Sequence, residues 1–387
     1  MFSDRTTRRW LSLAAVAASG ALLLAGCAGT PGDGGTGDAG GDSDDFRGEY
    51  TLVTVTNPTS SMGPPQEWYL DEVERRTEGR ITFIRTEPGE ICAPGEVYDC
   101  LADGRAQIIV QVPNYQPSYL AANSLPEIIF GTENLPAVTA AMYELLQTNQ
   151  ATLDYLEKAN LHHVGTWPVG RILYGSREPV TDIDQIRGQA VRTSGTIVVQ
   201  SFEAIGASLV AVPAQEAYQA VQSGLATAVA GAMDFPTAFK LGEILPHWTD
   251  PGIGNYSEFS MFWAKDVWDS FPEDIRQILL EIEAELNAGT SYDLWREYVV
   301  GQCTQLADMP TVETLTVWDA ASADEWARIV ADGNDALWVE QATGFGLADA
   351  ENVLEEYRQL VAKYEPQFST TDPVIECANG GFEAARR

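Results

Sequence analysis

Residues 189–233, QAVRTSGTIVVQSFEAIGASLVAVPAQEAYQAVQSGLATAVAGAM, decide the fold. A strand-like 189–193 precedes a helical 197–205, a strand at 208–212, a helical 214–222 and an apolar strand at 226–233. Gly195, Gly206 and Gly224 punctuate these short units. Upstream the same grammar recurs. Residues 50–56 (YTLVTVT) alternate as a strand, 57–61 offer turn and N-cap chemistry, and an amphipathic helix runs through Arg76 to a stop at Gly79. A strand at 80–86, a helical stretch through Ala102 and an apolar strand at 107–112 follow, and a long helical pattern over 136–159 closes the series. Strands that alternate with helices point to parallel sheets covered on both faces.

The expectation is an α/β chain of two lobes with a ligand cleft between them, because open α/β sheets bind ligands at the carboxyl ends of their strands. From Pro272 to Ala307 no proline interrupts, and Ile275, Leu279, Ile282, Leu286 and Leu294 recur at helical spacing. Unbroken, that helix would extend roughly 50 Å, enough to brace both lobes, and Gly289 could bend it. Helices at 323–341 and 347–364 and a polar tail complete the chain. The expected division is a targeting segment at 1–26, a tether at 27–48, a first lobe at 49–170 and a second at 171–255. Residues 256–387 supply an interlobe strand, the bracing helix and C-terminal helices that return to both lobes.

Of the 387 residues, 56 are acidic and 23 basic, for a formal charge of −33. Lys158, Lys240, Lys265 and Lys363 are the only lysines. Such a surface repels nucleic acid and anionic headgroups over a Debye length of about 8 Å, which excludes nucleic acid as a partner. The acidity serves solubility rather than a specific chemistry.

At the N-terminus, Arg5, Arg8 and Arg9 precede an apolar 11–25 and the tetrapeptide Leu24-Ala25-Gly26-Cys27. The apolar run is shorter than the ~20 residues a transmembrane helix needs. The tetrapeptide resembles the lipobox of bacterial lipoproteins, which implies cleavage before Cys27 and lipidation of its thiol. Residues 28–48 hold eight glycines and five aspartates and read as a tether with a reach of roughly 25 Å. The expected location is therefore extracytoplasmic, with the membrane met only through the lipid. Four further cysteines in such a compartment form a disulfide framework that allows three pairings. The local pairs Cys92 with Cys100 and Cys303 with Cys377 are the ones expected. A zinc site would want closer cysteines with histidines nearby, and only His162, His163 and His247 exist.

Enzyme signatures are absent from the sequence: no G-x-S-x-G, H-E-x-x-H or G-x-x-x-x-G-K-[ST] occurs. The chain reads as a binding protein, with no cofactor and no metal. His162 and His163 are adjacent, so on a strand they face opposite ways and are structural. The informative residues are arginines. Arg192 closes the strand-like 189–193, and Arg171 follows Trp167-Pro168-Val169-Gly170 at an apparent interlobe crossing. A guanidinium offers a planar fork that matches a carboxylate, each charge-assisted bond contributing about 1.5–3 kcal/mol when desolvated. The alternative is pairing with the abundant surface carboxylates.

Several short motifs in register resemble the DctP-type substrate-binding proteins of TRAP (tripartite, ATP-independent periplasmic) transporters. They are Asp184-Gln185-Ile186-Arg187-Gly188-Gln189-Ala190-Val191-Arg192, Phe202-Glu203-Ala204-Ile205-Gly206-Ala207, and Glu216-Ala217-Tyr218-Gln219-Ala220-Val221-Gln222-Ser223-Gly224. Weaker echoes are Leu125-Pro126 before Phe130, Gly170-Arg171, and the 265–272 run KDVWDSFP. The resemblance implies that Arg192 is the main carboxylate clamp with Arg171 as a second. It further implies a two-lobed, periplasmic-binding-protein-like α/β fold, braced by a long helix, whose lobes close on a small organic acid and deliver it to membrane permease subunits. Where the family has a ligand-facing Asn, this chain has Gly231-Ala232-Met233-Asp234. Asp234 either accepts hydrogen bonds from the ligand or caps a helix near Phe235. Trp167, Tyr115, Asn114 and Asn57 are further ligand candidates on cleft loops, with packing or turn chemistry as the alternative. The rival functions are a ligand-sensing surface lipoprotein not coupled to transport, and a secreted α/β hydrolase.

Overall fold

A computed structural model describes residues 46–368 and 371–386. The expected targeting segment and Cys27, the expected site of lipidation, lie outside the described residues. The chain opens with β1 (Gly48–Thr54), α1 (Gly63–Arg76), β2 (Ile81–Arg85), α2 (Val97–Ala102) and β3 (Ile108–Gln111). It continues through α3 (Leu135–Thr148), α4 (Gln150–Lys158), β4 (Leu161–Arg171) and β5 (Leu173–Ser176). Next come β6 (Ala190–Arg192), α5 (Thr196–Ala204), β7 (Ser208–Val210), α6 (Ala217–Gln222), β8 (Ala228–Gly231) and β9 (His247–Asp250). The last third holds β10 (Asn255–Ala264), α7 (Lys265–Ser270), α8 (Glu273–Glu285), α9 (Ser291–Ala307) and β11 (Thr314–Val317). The helices α10 (Ala320–Gly344), α11 (Ala350–Tyr364), α12 (Pro373–Glu376) and α13 (Phe382–Ala385) end it.

Two sheets result, one in the order β2-β1-β3-β10-β4 and the other β11-β9-β5-β8-β6-β7. The βα units pair in parallel as expected: β1 with β2 and β3, and β6 with β7 and β8. The sheets are nonetheless mixed, since β10 runs antiparallel to β3 and β4, and β5 antiparallel to β8 and β9. The reason is topological. β4 passes directly into β5 of the other sheet through Ile172, and β9 passes back into β10 within a few residues. A strand that arrives from another sheet needs no helical crossover, so nothing forces it to run parallel. Those two passages join the lobes.

Several local expectations change for stated reasons. The run 136–159 is two helices, because Asn149 is extended and its side chain caps the next helix by accepting from Thr152 N at 3.0 Å. The run 272–307 is bent by Gly289, at φ 136°, into α8 and α9. Asn287 seats that bend on β4 by donating to Val164 O at 2.8 Å. The C-terminal segment is no polar tail: Val374, Cys377 and Phe382 are buried, and Cys303–Cys377 ties it to α9. Cys92–Cys100 is the other disulfide. The body also takes in the last residues of the expected tether, with Phe46 edge-on to Phe271 and Gly48 opening β1.

Two helical elements brace the lobes, one more than expected. Gln302 on α9 reaches Thr237 beyond β8, while α8 packs on α1. On α10, the indole of Trp326 donates to Ser201 O of α5 and that of Trp338 donates to Ser124 Oγ, beside the first sheet. No described helix is long and apolar enough to cross a membrane.

Candidate functional site

Arg192 ends β6, in register with Val210 and Val229 of its two neighbouring strands. Its side chain is fully buried. Nε and Nη2 donate to Val212 O at 3.0 and 2.7 Å, and Nη1 donates to the Tyr256 hydroxyl at 3.2 Å. The Phe235 ring lies 4.8 Å from the guanidinium carbon, a cation–π contact. A guanidinium carries five N–H donors. The Tyr115 hydroxyl is a further hydrogen-bond partner, so these contacts are all to uncharged oxygens, and no described carboxylate pairs with the charge.

Beside this group, which lies behind the lining and meets it through Tyr256 and Phe235, the carboxyl ends of β1, β3, β6 and β8 converge on a small cavity of about 40 Å³. Val55, Val112, Asn114 and Tyr115 line it from the first lobe, Ser194, Asp234 and Phe235 from the second, and Tyr256 and Phe259 from β10. The lobes meet across it: Ala214 N donates to the Tyr115 hydroxyl at 3.0 Å, and Gln215 Nε2 donates to Val55 O at 2.8 Å. Burial raises the Tyr115 pKa, with the nearby Arg192 charge pulling it partly back. Ser194 Oγ and the Tyr256 hydroxyl share a hydrogen bond of 2.5 Å, which orients the hydroxyl facing Arg192. Both amide atoms of Asn114 are buried with no partner among the described residues.

Asp234 caps no helix. Ser61 N and Oγ donate to its carboxylate at 3.0 and 2.5 Å, and Gln302 Nε2 donates at 2.5 Å. Burial pushes its pKa up to about 6 despite those donors. Arg171 stands at the first passage between sheets, as expected of an interlobe crossing, but its charge is already matched. Nε donates to Asp250 Oδ2 at 2.5 Å, at the second passage, and Nη2 to Glu133 Oε1 at 2.9 Å. Trp167 is on no loop: it is a fully buried residue of β4 beside Phe259 and outside the cavity lining. Asn57 makes a turn, accepting from Thr59 N at 2.9 Å, and lines a wider recess outside the cavity. His162 and His163 do face opposite ways on β4. His162 stacks on Trp268 and meets Glu283, while burial drives the His163 pKa down to about 3.

Sequence reasoning missed Tyr256, Phe235, Phe259, Ser61 and Glu127. Glu127 is buried, its pKa pushed up to about 8 by desolvation, and Ser257 Oγ donates to it at 2.8 Å. Gly195, at φ +87°, gives it room: a Cβ there would lie 2.8 Å from Asn114 Nδ2 and 3.0 Å from Glu127 Oε2. The only sequence signal for Glu127 was the Leu125-Pro126 pair just before it. Among the described residues, no three His, Cys, Asp or Glu side chains gather as a metal site.

Comparison with known proteins identifies the family and the fold. A family model described as DctP, bacterial extracellular solute-binding protein, family 7, matches residues 52–330. The C4-dicarboxylate-binding periplasmic protein DctP of Rhodobacter capsulatus is 26% identical over 237 residues, covering 60% of this chain and 69% of its own length. Among solved structures, a TRAP solute binding protein from Rhodoferax ferrireducens T118, in complex with copurified benzoate, superposes with a TM-score of 0.72. It is 20% identical and covers 82% of this chain and 99% of its own. The periplasmic ectoine-binding protein of Halomonas elongata gives a TM-score of 0.70 at 15% identity, covering 82% and 100%. With a match that takes in well over half of its length, the chain belongs to the DctP family of extracellular solute-binding proteins, the two-lobed receptors of TRAP transporters.

Proposed function

We propose that this receptor takes a small organic acid into the cavity between its lobes, with Arg192 as the carboxylate clamp, and hands it to permease subunits in the membrane. The observation that carries the reading is the Arg192 guanidinium: fully buried, bonded to uncharged oxygens and with no carboxylate partner among the described residues. A buried charge costs several kcal/mol unless matched, and a ligand carboxylate would match it. Closure removes water from the pair, which strengthens an attraction that would be weak in solution. Tyr115, Asn114 and Ser194 present further polar groups to the same space. Arg171 is given a different role, as a brace between the two interlobe passages, because Asp250 and Glu133 already neutralise it. The benzoate held by the Rhodoferax protein supports an acid ligand. The sequence Leu24-Ala25-Gly26-Cys27 supports a lipid tether on the outer face of the membrane.

Calorimetry with carboxylate ligands on the wild type and Arg192→Met tests the clamp. Affinity should fall about 100-fold or more, the equivalent of about 2.7 kcal/mol. Equal affinity in the two proteins would remove the assignment.

A further inference from the structure

We propose that the acid this cavity selects carries one charge on an apolar body, a small aromatic or branched aliphatic monocarboxylate, and that dicarboxylates, sugar acids and amino acids are rejected. The proposal rests on the carboxylate reading above and deepens it.

The charge inventory comes first. One cation, Arg192, stands at the cavity without a counter-ion among the described residues. The second expected fork, Arg171, is held by Asp250 and Glu133. The other ionisable carboxyl groups at the site are acids of the wrong sign for an anion: Asp234 in the lining, and Glu127 next to Asn114 and Gly195. A second carboxylate on the ligand would therefore face an apolar ring or another acid, and an unmatched buried charge is costly.

The walls give the same answer. Beyond Arg192 the cavity presents the aromatic rings of Phe235, Phe239 and Phe259 and the side chains of Val55, Val112 and Val169. A sugar acid would bring several hydroxyls into this surface, each losing water for no partner at about 1–3 kcal/mol. The polar exceptions are few. Tyr115, Ser194, Asp234 and Tyr256 already have partners, whereas both amide atoms of Asn114 and the Thr56 hydroxyl have none among the described residues. These suffice for the second carboxylate oxygen or one ring hydroxyl. An amino acid's ammonium would look to Asp234, but its oxygens already accept from Ser61 and Gln302.

The test is a calorimetric panel on the full body: benzoate, phenylacetate and isovalerate against succinate, malate, gluconate and glutamate, on wild type and Arg192→Met. The expected result is that at least one monoacid binds wild type 100-fold or more tightly than any diacid, sugar acid or amino acid, with a negative heat-capacity change from apolar burial. Arg192→Met should lose that binding. Succinate or gluconate binding more tightly, and lost in Arg192→Met, would overturn the inference while leaving the clamp intact. Binding of none of the monoacids would also overturn it. A monoacid held equally well by Arg192→Met would sink the clamp itself, and the inference with it.

Discussion

Ser61 Oγ donates to Asp234 Oδ2 at 2.5 Å, joining residues 173 positions apart, one in the loop before α1 and the other beyond β8. Ser61 N donates to the same carboxylate, and Gln302 of α9 completes its shell. A single acid thus links both lobes and the bracing helix.

Removing one donor from this buried carboxylate should favour the open arrangement. A hydrogen bond to a charged group contributes about 1.5–3 kcal/mol. Ser61→Ala should therefore weaken ligand binding about 10-fold or more and raise the radius of gyration of the free protein in small-angle scattering. An unchanged affinity and scattering profile would mean that the contact holds nothing shut.

Stability should fall as pH rises from 6.5 to about 8. His163 opposes this only at the lower edge of the window: burial has driven its folded pKa to about 3, the unfolded ring keeps the ordinary value of 6.5, and by about pH 7.5 it is neutral in both states. Glu127, raised by burial from 4.5 to about 8, keeps its proton only in the folded chain, and Glu258 is raised further in the same direction. A raised carboxyl stabilises the fold below its unfolded pKa, and that contribution disappears as pH climbs through the folded value. Each such group changes stability by up to roughly 1.4 kcal/mol per pH unit. Melting temperature measured from pH 6.5 to 8.5 should decline, and Glu127→Gln should flatten the decline.

The two buried arginines should part company in the ligand-free protein. Arg171 and Asp250 are almost wholly buried and paired, so Arg171→Met leaves an acid unmatched and should cost about 3–5 kcal/mol. Arg192 has no counter-ion among the described residues, so Arg192→Met removes an unmatched charge and should leave the melting temperature equal or higher. Equal losses in both variants would assign Arg192 a structural role.

The sequence made the βα units legible, and with them the position of Arg192, because period and glycine punctuation are local. What it hid was long-range. β10 lies where an interlobe strand was expected, but every residue of it is buried, polar and apolar alike, so no alternation marks the side chains that face the cavity, and Tyr256 and Phe259 went unseen. Arg171 was placed correctly at a crossing, yet its partner Asp250 lies 79 residues away and no local pattern connects them. Asp234 could be read as a cap because capping is local chemistry, whereas Ser61 lies on the other lobe.

The disulfides should contribute unequally. Cys303 and Cys377 are 74 residues apart and Cys92 and Cys100 only 8, so chain entropy favours the longer loop by about 2 kcal/mol. Removal of the long-range pair, as Cys303→Ser with Cys377→Ser, should lower the midpoint of urea unfolding more than removal of the short one. The reverse order would show that the C-terminal turns around Phe382 hold themselves to α9 by packing alone.

Ligand capture should be faster in salt. With a formal charge of −33, the chain repels an approaching anion, and the repulsion extends about 30 Å at 0.01 M salt but only about 8 Å at 0.15 M. The Arg192 field is local, buried behind Tyr256 and Phe235, and cannot offset a surface of carboxylates at that range. Once the lobes are shut, the ion pair is out of reach of the salt. Stopped-flow tryptophan fluorescence with benzoate should therefore show an association rate that rises several-fold between 10 and 150 mM sodium chloride and a dissociation rate that barely moves. An association rate that falls with salt would mean that the cleft itself steers the anion, and that the acidity of this surface is arranged away from its mouth.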